Sequence, residues 1–329
     1  MNNTLFVHTA VHAHVTDLGR FTSTHMGIPT NGAADQYSAR AANILVGNND
    51  TAPLIAVTAT DFVFRVDRRA LIAVTGAPAK ILVDGIPHSQ WGPMMIAPGS
   101  TVAVTDIVVG LHTYIAVRGT MMGDCFRGSY APDPLLGTGL ALKVGTEMGV
   151  EDGCTQFEHP HLPLFHFHPH IPRFTHSWTF DIIDGLDAHQ FGNTTTLLTT
   201  TDFVVGQQSN HVGIRLDGAR LARTVTTEIL SRGVPLGAVE VPPAGELIVL
   251  GRGRPVTAGY PVIAVVARAS RDGLGQVRPG DTVRLNKVSL VEAHARYIRQ
   301  QHHLTELRER VRNAFSASGI MSNTPLHPA

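Results

Sequence analysis

Short apolar runs separated by polar and turn residues recur along most of this chain. "DFVFRVD" (61–67), "ALIAVTG" (70–76), "KILVDG" (80–85), "PMMIAPG" (93–99), "TVAVTDIVVG" (101–110) and "TYIAVRG" (113–119) follow one another in the first half. "FVVGQ" (203–207), "VGIRLDG" (212–218), "GAVEVPPAG" (237–245), "LIVLGRG" (247–253), "PVIAVVAR" (261–268) and "DTVRLNKV" (281–288) do the same in the second. Val, Ile and Thr fill these runs while Gly, Pro and Asp separate them, the mark of short strands in a β-sandwich or barrel. Two stretches carry the helical period instead. "DQYSARAANILVGN" (35–48) sets Tyr37, Ala41, Ile44 and Leu45 on one face, with Asp35 placed to cap it. "SLVEAHARYIRQQHHLTELRERVRNAF" (289–315) brings Leu290, Ala293, Tyr297, Ile298, Leu304 and Leu307 near one stripe, and Ser289 and Glu292 have capping-box spacing.

The strand pattern repeats itself. "STHMGIPTNGAAD" (23–35) is echoed by "SNHVGIRLDGAR" (209–220), and "PGSTVAV" (98–104) by "PGDTVRL" (279–285). The offsets, 186 and 181 residues, nearly agree, which points to a duplicated β domain. The expected layout is a first β domain over 1–155, a Pro/His-rich linker over 156–176, a second β domain over 177–290, a helix over 291–315 and a tail over 316–329. Four prolines in "FEHPHLPLFHFHPHIPRFTH" (157–176) rule out any long regular element in the linker.

Composition narrows the partners. The formal net charge is zero and 16% of residues are charged, so neither a nucleic-acid footprint nor a polybasic membrane stripe is present. No apolar run approaches the roughly 20 residues of a membrane span, and the N-terminus does not read as a secretory signal. Two cysteines, Cys125 and Cys154, fit a reducing compartment, and the expected location is cytoplasmic. No GxxxxGK[ST] loop occurs, so any ATP belongs to a partner.

Several motifs in one order resemble the KipA family, which includes the C component of ATP-dependent 5-oxoprolinase and the matching part of the urea carboxylase carboxyltransferase domain. They are "VTDLGR" (15–20), "GIPTNGAAD" (27–35), "AANILVGN" (41–48), "SNHVGIRLDG" (209–218), "EILSRGVPLGAVEVPPAGELIVL" (228–250), "TAGYPVIAVV" (257–266), "LGQVRPGDTVRL" (274–285) and "KVSLVEA" (287–293). The resemblance implies a mainly β fold of two tandem cyclophilin-like β-barrels, with a short N-terminal helix and a long C-terminal one. It implies a KipI-like B component as partner, with an A component completing the enzyme. The implied chemistry is ATP-dependent opening of a lactam, or carboxyl transfer from carboxybiotin to urea. ATP or biotin would come through a partner, with no cofactor or metal held by this chain itself.

The chain departs from the family pattern at several places. Ala56 aligns with a carboxylate, Gly253 with an acid, and His211 with an arginine; "TATDF" (58–62) replaces a Gly-Pro, and Thr120 interrupts a Gly-Gly. These losses remove charge where a polarised amide needs it. Three function classes therefore stand: a 5-oxoprolinase-type component, a stand-alone enzyme of altered chemistry on another small carbonyl compound, and a non-catalytic KipA-like binding protein that sequesters a partner. Self-association is the alternative to a KipI-like partner.

The candidate catalytic residues are His25 and His211, which head the two repeat copies and are general acid/base or donor candidates, and Arg215, a bidentate donor that an alternating strand is expected to aim into a barrel mouth. The candidate substrate-binding residues are Arg20, Asp35, Asn210 and Tyr260. Each has a plainer alternative: Asp17 and Arg20 as a loop-ordering ion pair, Asp35 as a helix cap, the histidines as partners of their own turns, and Tyr260 as a wall residue. His159, His161, His166, His168, His170 and His176 crowd the linker, but prolines break the alternation a metal shell would need.

Overall fold

The computed structural model describes residues 3–151, 165–225 and 228–319. Cys154, Glu158, His159, His161, much of the expected linker and the end of the tail lie outside them. The chain is mainly β and divides into two compact units. The first comprises residues 1–19, 36–174 and 301–329; the second comprises 20–35 and 175–300. Residues 20–35, expected in the first domain, thus group with the second unit.

In the first unit the strands form a seven-stranded and a six-stranded sheet. Alternation explains their shared core: Leu5, Val7, Val15, Ile55, Val57, Phe62, Phe64, Ile72, Val74, Ile115 and Val117 are all buried in one cluster. The other face of the six-stranded sheet meets the helix Gln36–Leu45, whose Tyr37, Ala41, Ile44 and Leu45 are buried as the helical period predicts. Thr75 Oγ1 donates to Ser38 O at 2.6 Å across that junction. Two barrels were expected, yet among the described residues only the second unit closes. The two sheets of the first keep short edge strands, Thr120–Met121 and Ala141–Leu142, which pair on one side only.

The second unit is a closed barrel of seven strands in the order Ser177–Asp184, Val262–Val266, Ala238–Glu240, Leu247–Leu250, Gly213–Asp217, Asp202–Val205 and Thr282–Lys287. Closure comes from parallel pairing of Thr282–Lys287 with Ser177–Asp184, while its other strand pairs are antiparallel. A separate two-stranded ribbon pairs Arg232–Gly233 with Thr257–Ala258.

The "PG" repeat is a true structural repeat. Gly99 (φ 81°) and Gly280 (φ 91°) both occupy left-handed turns. Gly99 N donates to Val66 O and Gly280 N to Val205 O, each at 2.8 Å. Ser100 O and Asp281 O then accept from the N–H of the same two valines. The histidine-headed copies are not equivalent. His25 lies in a one-turn 3-10 helix, Thr24–Met26, and His211 in a bend before the strand Gly213–Asp217. Both belong to the second unit, so they do not mark matching positions on two halves.

The long helix, Leu290–Ala317, begins with the expected capping box: Ser289 N donates to Glu292 Oε2 at 2.9 Å and Glu292 N to Ser289 Oγ at 3.2 Å. Its buried stripe differs from the sequence expectation. Ala293, Leu304, Leu307, Val311 and Phe315 are buried, whereas Leu290 and Ile298 are exposed. Among the described residues, no helix is long and apolar enough to cross a membrane.

Candidate functional site

In the second unit the segment 20–35 runs against two turns of the barrel. Asn31, held at φ 49°, donates its N–H to Arg252 O at 3.1 Å, and Thr30 Oγ1 donates to the same carbonyl at 3.4 Å. Gly253 N donates to His211 O at 2.9 Å. A Cβ placed on Gly253 would fall 2.2 Å from His211 Cδ2, 2.8 Å from Nε2 and 3.2 Å from Asn31 Oδ1. Asn31, His211 and Gly253 therefore converge, and the imidazole occupies the space a side chain at 253 would fill. Two departures from the family pattern, the lost arginine at 211 and the lost acid at 253, meet at one place.

The other sequence candidates are spread more widely. Asn210 spends its carboxamide oxygen on the turn, accepting from Val212 N at 2.9 Å and Gly213 N at 3.3 Å. Arg215 does not aim into the barrel. It lies between inward-facing Ile214 and Leu216 on a strand of period two, so it faces out and pairs with Glu246 at 2.9 Å. Arg20 is fully buried, its N–H donating to Thr30 O at 2.7 Å. Asp35 is buried and accepts from Gln276 Nε2 at 2.8 Å. His25 and Tyr260 are exposed. Asp17 ties its own unit together, accepting from Gly19 N, Ser129 Oγ and Tyr130 N at 2.7–2.9 Å. In the linker His170 stacks on His303 with ring centroids 4.3 Å apart, and His176 Nδ1 lies 2.8 Å from Asp281 Oδ1. Among the described residues no group of three His, Cys, Asp or Glu side chains gathers as a metal shell.

The third departure, Ala56, lies in the first unit on the face of the six-stranded sheet away from the shared core. Its cross-strand neighbours are His14 and Tyr114. Two pairs further along, on the same face, Thr58 Oγ1 lies 3.0 Å from His112 Nδ1. Burial, with the imidazole of His14 adding to it, pushes His112 down to about 3, although the residue as a whole is only half-buried.

Sequence reasoning passed over Glu240. It stands in "AVEV", an acid inside an apolar strand just ahead of two prolines, and that misfit was the available signal. Glu240 is 3% exposed, and its Oε1 is buried without a hydrogen-bond partner. Desolvation pushes its carboxyl up to about 7 against a smaller downward pull from Arg232. Arg232 in turn pairs with buried Asp187, whose Oδ2 also accepts Val262 N at 2.8 Å.

A mainly β chain with a closed barrel and a long terminal helix has solved counterparts. The Kluyveromyces lactis urea carboxylase superposes with a TM-score of 0.82 over 93% of this chain and 29% of that one, at 21% identity. The K. lactis urea amidolyase does so with a TM-score of 0.81 over 92% and 20%, at 22% identity. These likenesses are of fold, and the chain spans less than a third of either protein. The model of the carboxyltransferase domain, subdomain A and B, matches residues 26–287, and the chain belongs to that family. Among its relatives is the 5-oxoprolinase C subunit of Haemophilus influenzae, 28% identical over 306 residues, covering 90% of this chain and 94% of that protein. The Escherichia coli 5-oxoprolinase C subunit is 28% identical over 93% of this chain and 98% of that protein.

Proposed function

We propose that this chain is the C-type component of an ATP-dependent 5-oxoprolinase or a related carboxyltransferase-like enzyme, acting on a small lactam, amide or urea-like substrate. The observation that carries this reading is the end-to-end match to the two 5-oxoprolinase C subunits, with 94% and 98% of the relatives' length covered. In this reading a KipI-like B component and an A component supply the rest of the complex, ATP is handled by a partner, and the complex works in the cytoplasm. The His211 imidazole, set beside Asn31 over Gly253 in the second unit, supplies a hydrogen-bond donor for a substrate carbonyl, the role such groups play at a developing oxyanion.

One observation favours a second reading, in which the ancestral substrate has been exchanged. An imidazole packed over a glycine replaces a guanidinium beside an acid, and it cannot clamp a carboxylate with a planar fork. The substrate in that case is a small carbonyl compound without the carboxylate of 5-oxoproline. The test is isotope-followed turnover of 5-oxoproline, urea and 2-pyrrolidinone with ATP, using the chain with its cognate A and B components and the chain by itself. Glutamate from 5-oxoproline supports the first reading. Turnover of pyrrolidinone but not of 5-oxoproline supports the second, and no turnover of any of the three overturns both.

A further inference from the structure

In the second unit Glu240 is a buried acid whose Oε1 has no donor. The strand register explains its position. Val239 lies opposite Val249 and Ala264 and faces into the barrel, so Glu240 falls on the outer wall beside Ile248. A bulge between Val239 and Glu240 marks the pairing with Val262. This stretch of wall is apolar: Val234, Ala238, Leu250 and Val262 form one buried cluster, joined by Ile248, Ala258 and Val265. Val234 and Ala258 come from the ribbon segments, so the ribbon packs on the wall that bears the carboxyl. Arg232 acts on Glu240 from the ribbon, and its guanidinium is already committed in part to Asp187. On the same outer face Arg215 is taken up by Glu246.

A carboxyl oxygen buried without a donor is costly to the fold, because a polar atom withdrawn from water forfeits its hydrogen bonds. A ligand N–H is one group that can supply the missing donor. Arg232 has five N–H donors, and its side chain is 36% exposed. A buried acceptor in an apolar wall, with a donor on the ribbon whose charge acts on it, matches one edge of a neutral cis-amide, which presents an N–H next to a C=O. A charged ligand would meet uncompensated desolvation here.

We propose that Glu240 and Arg232 bind the amide edge of a small neutral ligand, Glu240 accepting from its N–H and Arg232 donating to its carbonyl. The choice of a lactam as the amide rests on the function proposed above. The raised carboxyl of Glu240 agrees with the site, since its apolar surroundings favour the protonated form and an N–H donor would favour the ionised one.

The experiment uses the full chain with its glutamate side-chain carboxyls labelled with carbon-13, titrated by NMR with and without 2-pyrrolidinone. The Glu240 signal is assigned by its loss in Glu240→Gln. Pyrrolidinone is expected to shift the Glu240 midpoint downward by at least half a pH unit. Its affinity should fall about tenfold in Glu240→Leu and much less in Glu240→Gln, which keeps an acceptor oxygen. Circular dichroism of both variants checks the fold, and Arg232→Gln provides an independent arm if Glu240→Leu unfolds. An unmoved Glu240 midpoint, or equal affinity across wild type, Glu240→Gln and Arg232→Gln, overturns the proposal. Failure of the turnover assay with an intact Glu240-dependent shift would sink the function and leave this site standing; turnover with no shift would do the reverse.

Discussion

Two glycines flanking Arg252 test whether the His211 ring or the His211 backbone occupies the space at this turn. A Cβ on Gly253 meets the ring, at 2.2 Å from Cδ2, whereas a Cβ on Gly251 meets the peptide, at 2.4 Å from His211 O. Neither glycine has a left-handed φ, so alanine is strained only by what it touches. To restore carbon–carbon contact the imidazole must retreat by roughly 1.3 Å. It is exposed and turns about its own bonds, so Gly253→Ala is expected to cost about 1 kcal/mol, the low end for overpacking. The carbonyl cannot turn without breaking its bond from Gly253 N, so Gly251→Ala is expected to cost about 3 kcal/mol. Denaturant unfolding of a double-mutant cycle with His211→Ala separates the two. Removing the ring should return most of the Gly253→Ala cost, a coupling of about 1 kcal/mol, and nothing of the Gly251→Ala cost. Equal coupling at both glycines, or none at either, would refute the assignment of the ring to this space.

Three further outcomes follow from the structure. Glu240 in the folded chain keeps a proton from its ordinary 4.5 up to about 7, so stability falls as pH rises through that window and stays low above it. Glu240→Gln should therefore gain on the order of 2 kcal/mol relative to wild type between pH 5 and pH 8, read from denaturation midpoints; no relative gain contradicts it. His112 is held down to about 3, so the unfolded chain takes up a proton below its ordinary 6.5 that the folded chain refuses. Stability should drop as pH falls from 6.5 toward 3, by at most about 1.4 kcal/mol per unit, and His112→Gln should flatten that limb in an acid-unfolding series. Gly99→Ala and Gly280→Ala meet no atoms within 4 Å but sit at positive φ. Each should cost about 1 kcal/mol, and equal losses by calorimetry would match the shared turn geometry.

Local pattern made the strands, both principal helices and the capping box legible, because period and cap chemistry are written within a few residues. The "PG" repeat was legible for the same reason: Gly99 and Gly280 answer to the same local turn. The histidine-headed repeat misled, because a run of matched letters does not fix conformation. His25 ended in a 3-10 turn and His211 before a strand. Arg215 was misread although its alternation with Ile214 and Leu216 already pointed it outward. The grouping of 20–35 with the second unit was beyond reach, since it depends on bonds such as Asn31 to Arg252, more than two hundred residues apart. Glu240 needed both the barrel register and the inventory of nearby donors. The helix stripe failed at Leu290 and Ile298, which stay exposed, and the helix itself is divided, residues 290–300 grouping with the second unit and 301–317 with the first.

That last arrangement has a consequence for how the protein is born. The first unit begins with residue 1 yet draws on Leu304, Leu307, Val311 and Phe315, and Phe315 meets Phe165, Phe167 and Arg118 within it. Translation must thus pass Phe315, beyond the last residue of the second unit, before the first unit can be completed. The barrel, finished by residue 300, is ready sooner. Synthesis runs in one direction and maturation in the other, and a chain stalled short of Phe315 would emerge with its second half formed and its first half waiting.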